Sequence, residues 1–330
     1  MNPTRRIYVL DGHVKECKCC KMEMDLSNIS SEVHIQECAL LSGYTTFQLG
    51  GSCPVLLDCP TADALVDAVR VLQRGSHPFV VIGQGSNLLV SDQGMEEIVV
   101  RYCAEQPPKL SFDGKHLRVA AHILLDDLVA EVVKNGWGDL AFCSGIPGTL
   151  GGAISGNAGA FGRQIGDVVE SVRLLNPAGE VREVFRDELG FSYRQCAIRK
   201  RKEIILDATL SLSGRSQHEL QEEREEILRL RKEKHPDWRM QPCAGSVFKN
   251  IKPTSNAGRR QAAGWFLEQV GGKEFTVGCA RIFEKHANII IAEPGATAED
   301  VHRLMEKMIC AVQDRFGIIL EPEIQQIGLL

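Results

Sequence analysis

The chain has 330 residues, 44% of them hydrophobic, and a formal net charge of −5, which is enough apolar material for two or three domains with cores of their own. No basic stripe interleaved with aromatics appears, so nucleic acid is not an expected partner, and the cationic run Arg199–Lys202 reads as a solvated turn. No apolar run reaches the ~20 residues that span a bilayer, and the N-terminal MNPTRRIYVLDGHVKE lacks an uninterrupted apolar core, so a cytoplasmic protein with no membrane partner is expected.

The 12 cysteines are scattered through a chain too long to need a disulfide framework, and they read as small, mostly buried thiols in a reducing compartment. Cys17, Cys19 and Cys20, with His13, His34 and Cys38 nearby, offer soft ligands. Their spacing fits no zinc module, so the expectation is an extension with incidental cysteines and no metal.

Residues 1 to about 40 show no sustained periodicity, and residues 1–37 are read as a flexible N-terminal extension. The segment from Tyr44 to Gly51, YTTFQLGG, alternates and then closes on paired glycines, which predicts a strand entering a tight turn. A helix is expected from Thr61, with Ala64, Leu65, Ala68, Val69 and Leu72 on one face. Phe79-Val80-Val81-Ile82 has the composition of a buried strand and opens into Gly83-Gln84-Gly85-Ser86-Asn87. A dinucleotide fingerprint fails there, because Leu88 stands at the third glycine and Leu88-Leu89-Val90 reads as a strand. A Walker loop fails too, since neither glycine loop of the chain continues into Gly-Lys-Ser or Gly-Lys-Thr.

Strands are expected at Ile98–Arg101 and Leu117–Ala121, and a helix over Leu125–Lys134 ended by Asn135-Gly136. The central stretch Ser144–Gly162, SGIPGTLGGAISGNAGAFG, carries no charge and interleaves glycine with Ile146, Pro147, Leu150, Ala153 and Ile154. That is backbone meant to pack closely, and its N–H groups are expected to approach a flat or phosphorylated ligand. Val168–Leu175 and Val181–Val184 flank the turn Asn176-Pro177-Ala178-Gly179 as a hairpin, and Ile204–Leu212 follows as a strand. A boundary is expected near Ser213-Gly214. Beyond it come a charged connecting helix over His218–Lys234, a helix over Ala262–Val270 and a strand at Asn288–Ile291. The helix Ala298–Phe316 has a Thr297/Asp300 capping box and a terminal Gly317, and a closing strand is expected over Ile318–Ile327.

Seven segments stand in the order and at the separations of one family: TTFQLGG (45–51), GQGSN (83–87), GIPGTLGGAISGNAGAFG (145–162), YR (193–194), AGSVFKN (244–250), EKHAN (284–288) and EPEI (321–324). Over roughly residues 38–328 the chain resembles the UDP-N-acetylenolpyruvoylglucosamine reductase (MurB) family of peptidoglycan precursor synthesis. The resemblance implies an α+β protein with a two-lobed FAD-binding domain of the vanillyl-alcohol-oxidase/PCMH type at 38–213, its lobes about 38–100 and 101–213. A C-terminal α/β substrate-binding domain would fill 214–330. The implied reaction passes hydride from NADPH to FAD and on to the vinyl group of a UDP-linked enolpyruvyl amino sugar.

By the same resemblance, Gly83, Gly85, Ser86, Asn87, Gly145, Pro147, Gly148, Thr149, Gly151, Gly152 and Asn157 would hold FAD. Ser246 corresponds to the proton donor and Arg194 to the active-site arginine, whose fork suits a carboxylate turning into an enediolate. Glu323 corresponds to the last catalytic residue; Glu321 is the competing choice, but the family pattern places the active glutamate directly before the β-branched residue, here Ile324. Tyr193, Asn250 and Lys285 correspond to substrate-contacting positions. The sequence departs from the family at Ser155-Gly156 and at Ile251, where proline is common. The short interval between Arg194 and Ser246 suggests the class without a substrate-capping insertion, and a monomer or weak oligomer is expected. Two other readings stay open: an FAD-linked oxidase with the same flavin domain acting on another small molecule, and a catalytically silent flavin-binding module. The joint presence of Ser246, Arg194 and Glu323 weighs against the silent module.

Overall fold

The computed structural model describes residues 6–10, 13–17, 24–26, 28–104, 110–252 and 260–328. The chain divides into two compact units, each assembled from separated segments. The first takes the described residues up to Ala39, Cys53–Gly83 and Glu96–Leu230; the second takes Leu40–Ser52, Gln84–Met95 and Arg231 onward. Segments 40–52 and 84–95 thus belong to the second unit, and the chain passes finally from the first unit to the second after Leu230, inside the charged helix Gln217–Lys234.

The first unit contains two sheets. One has the order His34–Leu40, Ser52–Cys59, Ile98–Tyr102, Phe79–Ile82, the last three strands parallel. Its edge strand Phe79–Ile82 leaves Val81 exposed, so only part of that expected buried strand is covered. The second sheet is antiparallel, in the order Val181–Phe185, Val169–Leu175, Ile204–Ser211, His116–Ala120, Ser111–Asp113. Helix Ala62–Arg74 starts where expected: the Thr61 side chain accepts from Ala64 N–H, and Ala64, Leu65, Ala68, Val69 and Leu72 are buried. These residues join helix Leu125–Lys134 and both sheets in one continuous apolar core.

Two N-terminal expectations differ from the structure. Residues 6–10, 13–17 and 24–25 form a three-stranded sheet, and His34–Leu40 is a strand that crosses the expected boundary at residue 37. Only Ala39 of that strand is buried, so no alternation betrays it. Cys19 and Cys20 lie outside the described residues. Cys53, Cys59, Cys143, Cys196 and Cys243 are buried free thiols as expected, Cys279 and Cys310 are exposed, and Cys38 is disulfide-bonded.

The second unit packs helices Ala263–Gln269 and Ala298–Phe316 with the antiparallel sheet Thr276–Val277, Ala280–Phe283, His286–Ala292. The Thr297/Asp300 capping box and the left-handed Gly317 bound the long helix as the sequence predicts. The strand expected over 318–327 is confined to Gln325–Ile327, which pairs in parallel with Leu88–Val90. Pro322, with no N–H to donate, sits at an isolated bridge to Phe248 just before it. The strand expected from Tyr44 is instead a 3₁₀ turn, Leu41–Tyr44, followed by tight turns. Gln48 is left-handed at φ 53°, and Thr45 Oγ1 donates to Leu49 O at 2.8 Å.

In this unit the rings of His235 and His286 lie 5.6 Å apart. Burial, reinforced by Arg231, His286 and Lys234, pushes His235 down to about 4, and burial lowers His286 as well. Unfolded, both return to about 6.5. The unfolded chain therefore binds more protons between these values, and stability falls as pH drops from about 6.5 toward 4. His235→Phe should flatten that fall by up to ~1.4 kcal/mol per pH unit, measured as thermal melts across the window. A slope identical to the wild type's would show that His235 is not the group responsible.

Candidate active site

In the first unit the glycine-rich stretch is more ordered than its composition suggests. Leu150–Gly156 is a short helix capped by Thr149, whose Oγ1 accepts from Gly152 N–H at 3.2 Å. Leu150 and Gly151 donate to Ile123 O and Ala121 O at 2.9 and 2.8 Å. Gly145 N–H donates to Asp126 Oδ1 at 2.7 Å, and Arg224 of the charged helix pairs with that same carboxylate at 2.6 Å. Gly145, Gly151 and Gly152 thus have their N–H groups committed within the unit, and the expected row of free donors is absent over these three positions. Their glycines serve close approach instead. A Cβ on Gly83 would lie 2.7 Å from Thr149 Oγ1, and one on Gly151 would lie 3.1 Å from Ala121 Cβ. Pro147 is exposed, and Gly148 is buried at φ 123°.

Asn157 ends the short helix in the left-handed region, at φ 45° and ψ 58°. Its amide is fully used: Nδ2 donates to Gln164 Oε1 and Ser192 O, both at 2.8 Å, and Oδ1 accepts from Gly166 N–H at 3.1 Å. The residue is buried and braces the segment leading to Tyr193 and Arg194. Arg194 is itself left-handed at φ 55°, its guanidinium 5.5 Å from the Tyr193 ring centroid, with Nη1 donating to Gly159 O at 3.1 Å. A non-glycine residue held in that backbone region is a local cost of ~1–3 kcal/mol that the surrounding fold must offset, and such costs concentrate at functional positions.

In the second unit, three backbone segments converge on residues the sequence singles out. Val247 N–H donates to Asn288 O at 2.9 Å, and Glu323 N–H donates to Val247 O at 2.8 Å. Ser246 bridges Ile289, so it lies one step from the residue that pairs with Glu323. Asn87 ties the third segment in, with Nδ2 donating to Glu323 O at 3.0 Å and its own O accepting from Gln325 N–H at 2.9 Å. Gly245 precedes Ser246 at φ 68°, a left-handed turn that glycine tolerates without strain. Glu323 is half-buried, whereas Glu321 is exposed and ion-paired with Lys249.

Asn250 accepts the Ala263 N–H on Oδ1 at 3.3 Å, at the start of helix Ala263–Gln269. Lys285 is exposed in the turn between Ala280–Phe283 and His286–Ala292. Ile251 donates its N–H to Gln261 O at 2.9 Å, a bond that proline at this position could not make. Gly85 is held at φ 66°, where a Cβ would stand 2.1 Å from Tyr44 O.

Two buried polar groups escaped the motif reading. His122 in the first unit has both ring nitrogens buried, and Thr46 in the second has its Oγ1 buried, with no hydrogen-bond partner for any of the three atoms among the described residues. His122 directly precedes Ile123, which accepts from the glycine helix, and Thr46 N–H donates to Gly85 O at 3.3 Å. Unpaired buried polar atoms of this kind are few in native interiors. The only advance signal was Thr46's place in TTFQLGG; nothing in the local pattern marks His122.

Comparison with known proteins bears on both units. Residues 54–184 match the FAD binding domain family, and residues 236–327 match the UDP-N-acetylenolpyruvoylglucosamine reductase C-terminal domain family. The UDP-N-acetylenolpyruvoylglucosamine reductase of Alkaliphilus oremlandii is 37% identical over 288 residues, covering 87% of this chain and 91% of that relative. The reductase of Gloeobacter violaceus is 36% identical over 285 residues, covering 86% and 93%. Among solved structures, that of UDP-N-acetylenolpyruvylglucosamine reductase from Thermus caldophilus superposes with a TM-score of 0.73 at 32% identity, covering 90% of this chain and 99% of that one. With both domain families matched and identity of this level sustained over nearly the full length of its relatives, the chain belongs to the UDP-N-acetylenolpyruvoylglucosamine reductase family.

Proposed function

We propose that this chain is an FAD-dependent, NADPH-consuming reductase that converts UDP-N-acetylenolpyruvoylglucosamine to UDP-N-acetylmuramate in the cytoplasm. The observation that carries the reading is family membership across both matched domains. No helix among the described residues is long and apolar enough to cross a membrane. A soluble UDP-sugar is the natural partner of such a chain, and a monomer or weak oligomer suffices for it.

When bound, FAD would supply the hydride chemistry that links NADPH to the enolpyruvyl double bond. Gly83, Gly85, Ser86 and Asn87 are assigned to holding it, with Gly145, Pro147, Gly148, Thr149, Gly151 and Gly152. Asn157 acts by bracing the segment that carries Arg194. The protein's own tasks are to orient the olefin, stabilise the enolate and deliver one proton. Arg194 takes the substrate carboxylate in a two-pronged hydrogen bond, which strengthens as charge moves onto the carboxylate oxygens. Glu323 donates a hydrogen bond to the same developing charge from its half-buried position. Ser246 gives its hydroxyl proton to the carbon beside the carboxylate, completing a net addition of hydride and proton across the double bond. Tyr193, Asn250 and Lys285 are assigned to the remainder of the substrate, and the short Arg194–Ser246 interval to the class without a capping insertion.

An absorption spectrum of the purified protein followed by anaerobic NADPH titration tests the reading. A yellow protein that NADPH bleaches and the UDP-enolpyruvyl sugar recolours is the expected result. Rapid recolouring by oxygen with no response to the sugar would favour an FAD-linked oxidase, and a colourless protein that takes up no FAD would remove the flavin reading altogether.

A further inference from the structure

In the second unit, the segment that carries Ser246 is not a strand. It meets its neighbours through isolated bridges, Ser246 to Ile289 and Phe248 to Pro322, so its position depends on single contacts and not on a ladder. Asn288, in the strand His286–Ala292, supplies three of them. Its carbonyl accepts from Val247 N–H at 2.9 Å. Its side chain takes both backbone groups of the next residue: Oδ1 accepts from Phe248 N–H at 3.0 Å, and Nδ2 donates to Phe248 O at 2.8 Å. Asn288 is 2% exposed, and its own N–H donates to His286 Nδ1 at 3.2 Å.

The strand buries every residue from Ala287 to Ala292, and Asn288 is the one polar side chain in that run. An amide is costly to bury unless both of its ends are bonded. Here they are bonded to one residue of an irregular segment, the part that a neighbouring strand's backbone plays in a sheet. Among the described residues, Phe248 N–H and O make no other hydrogen bond. On the other flank of Ser246, Gly245 is the residue type with the widest backbone freedom. The direction of the Ser246 hydroxyl is therefore set from the side of Val247 and Phe248, and Asn288 holds both. Serine is a weak acid, so delivery of its proton to carbon depends on close, aligned placement.

We infer that Asn288 is a positioning residue that aims the Ser246 hydroxyl by clamping Val247 and Phe248, an inference that rests on the function proposed above. Asn288 touches neither the reacting carbon nor the flavin in this role; it acts through Ser246 alone. Its removal leaves Phe248 N–H and O without partners and lets the serine turn about Gly245. An asparagine that served only the scaffold would instead change both half-reactions in step with stability.

The test is a double-mutant cycle on the full-length holoenzyme, with Asn288→Ala, Ser246→Ala and the two combined, each half-reaction being followed by stopped flow. Asn288→Ala should leave flavin reduction by NADPH near the wild-type rate and slow reoxidation by the enolpyruvyl sugar by ~10–10²-fold, the cost of a misplaced donor. Sugar affinity, read from the shift it causes in the oxidised flavin spectrum, should stay within ~3-fold. Asn288→Asp has the same shape and keeps an acceptor for Phe248 N–H, so it should recover part of the rate. In the Ser246→Ala background, Asn288→Ala should slow reoxidation no further, because no hydroxyl is left to misplace. Slowing that multiplies in the combined variant, or that falls equally on both half-reactions, would overturn the inference while leaving the function intact. A wild type that the sugar fails to reoxidise would remove the function itself, and wild-type reoxidation in Ser246→Ala would remove the proton donor; the inference falls with either. Should Asn288→Ala not fold, Asn288→Asp enters the same cycle, and loss of the fold in both would assign the residue to the scaffold and overturn the inference.

Discussion

Replacing Ser246 by alanine is expected to leave reduction of the flavin by NADPH near its wild-type rate while slowing reoxidation by the enolpyruvyl sugar by ~10²–10⁴-fold. Only the second half-reaction needs a proton delivered to carbon, so only that half should respond. The backbone at this position is held from both sides, by the bridge to Ile289 and by the Glu323–Val247 hydrogen bond next to it. Loss of a hydroxyl should therefore not disturb the segment. Stopped-flow measurement of each half-reaction separates the outcomes, and equal slowing of both would withdraw the proton-donor assignment.

Arg194→Gly is expected to divide activity from stability. The left-handed backbone at φ 55° suits glycine better than arginine, which offsets the larger entropy that glycine brings to the unfolded chain. Folding free energy should stay within ~1 kcal/mol of the wild type, even though the bond to Gly159 O is lost. Turnover of the sugar should nevertheless drop by ~10²–10³, the cost of removing a donor from a developing oxyanion. A variant whose loss of activity tracked a loss of folded protein would show that Arg194 serves the scaffold instead.

The helices were the most legible part of this fold. Thr61 and the Thr297/Asp300 pair mark two helix starts, and Gly317 marks an end, because caps are satisfied by neighbours within three or four positions. Most strands also lie where the pattern puts them, Ile98–Tyr102, His116–Ala120, Val169–Leu175 and Ile204–Ser211 among them, but three segments do not follow it. His34–Leu40 buries only Ala39, so its hydropathy carries no period, and Ile318–Ile327 has the composition of a strand but meets a partner only at its last three residues. YTTFQLGG alternates over too few positions to exclude a turn, and Thr45 and Gln48 close one. Leu150–Gly156 is helical against its own glycine content because Thr149, Ala121 and Ile123 accept its first N–H groups.

At the site, the resemblance named Ser246, Glu323 and Asn87, and the backbone ladder joins their segments in one unit. The resemblance prefers Glu323 to Glu321 by position, directly before the β-branched Ile324. His122 stayed invisible because a histidine after a strand is unremarkable until its ring nitrogens are seen to be buried with no partner among the described residues.

The second unit also constrains how the chain can be made. Asn87 is synthesised early, yet the carbonyl it bonds, that of Glu323, lies 236 positions later, and the strand that completes Leu88–Val90 follows directly after it, at Gln325–Ile327. Closing so long a loop adds only modestly to the equilibrium cost, since that entropy grows with the logarithm of length, but it delays the pairing. While a ribosome is still translating the intervening residues, the apolar strand Leu88–Val90 has no edge partner and is a site for chaperone capture or mispairing. A fragment beginning near residue 214 would lack that strand and the Asn87 anchor together. Expression of the second unit as a separate piece therefore calls for joining segments 40–52 and 84–95 to residues 231 onward through linkers, not a simple truncation.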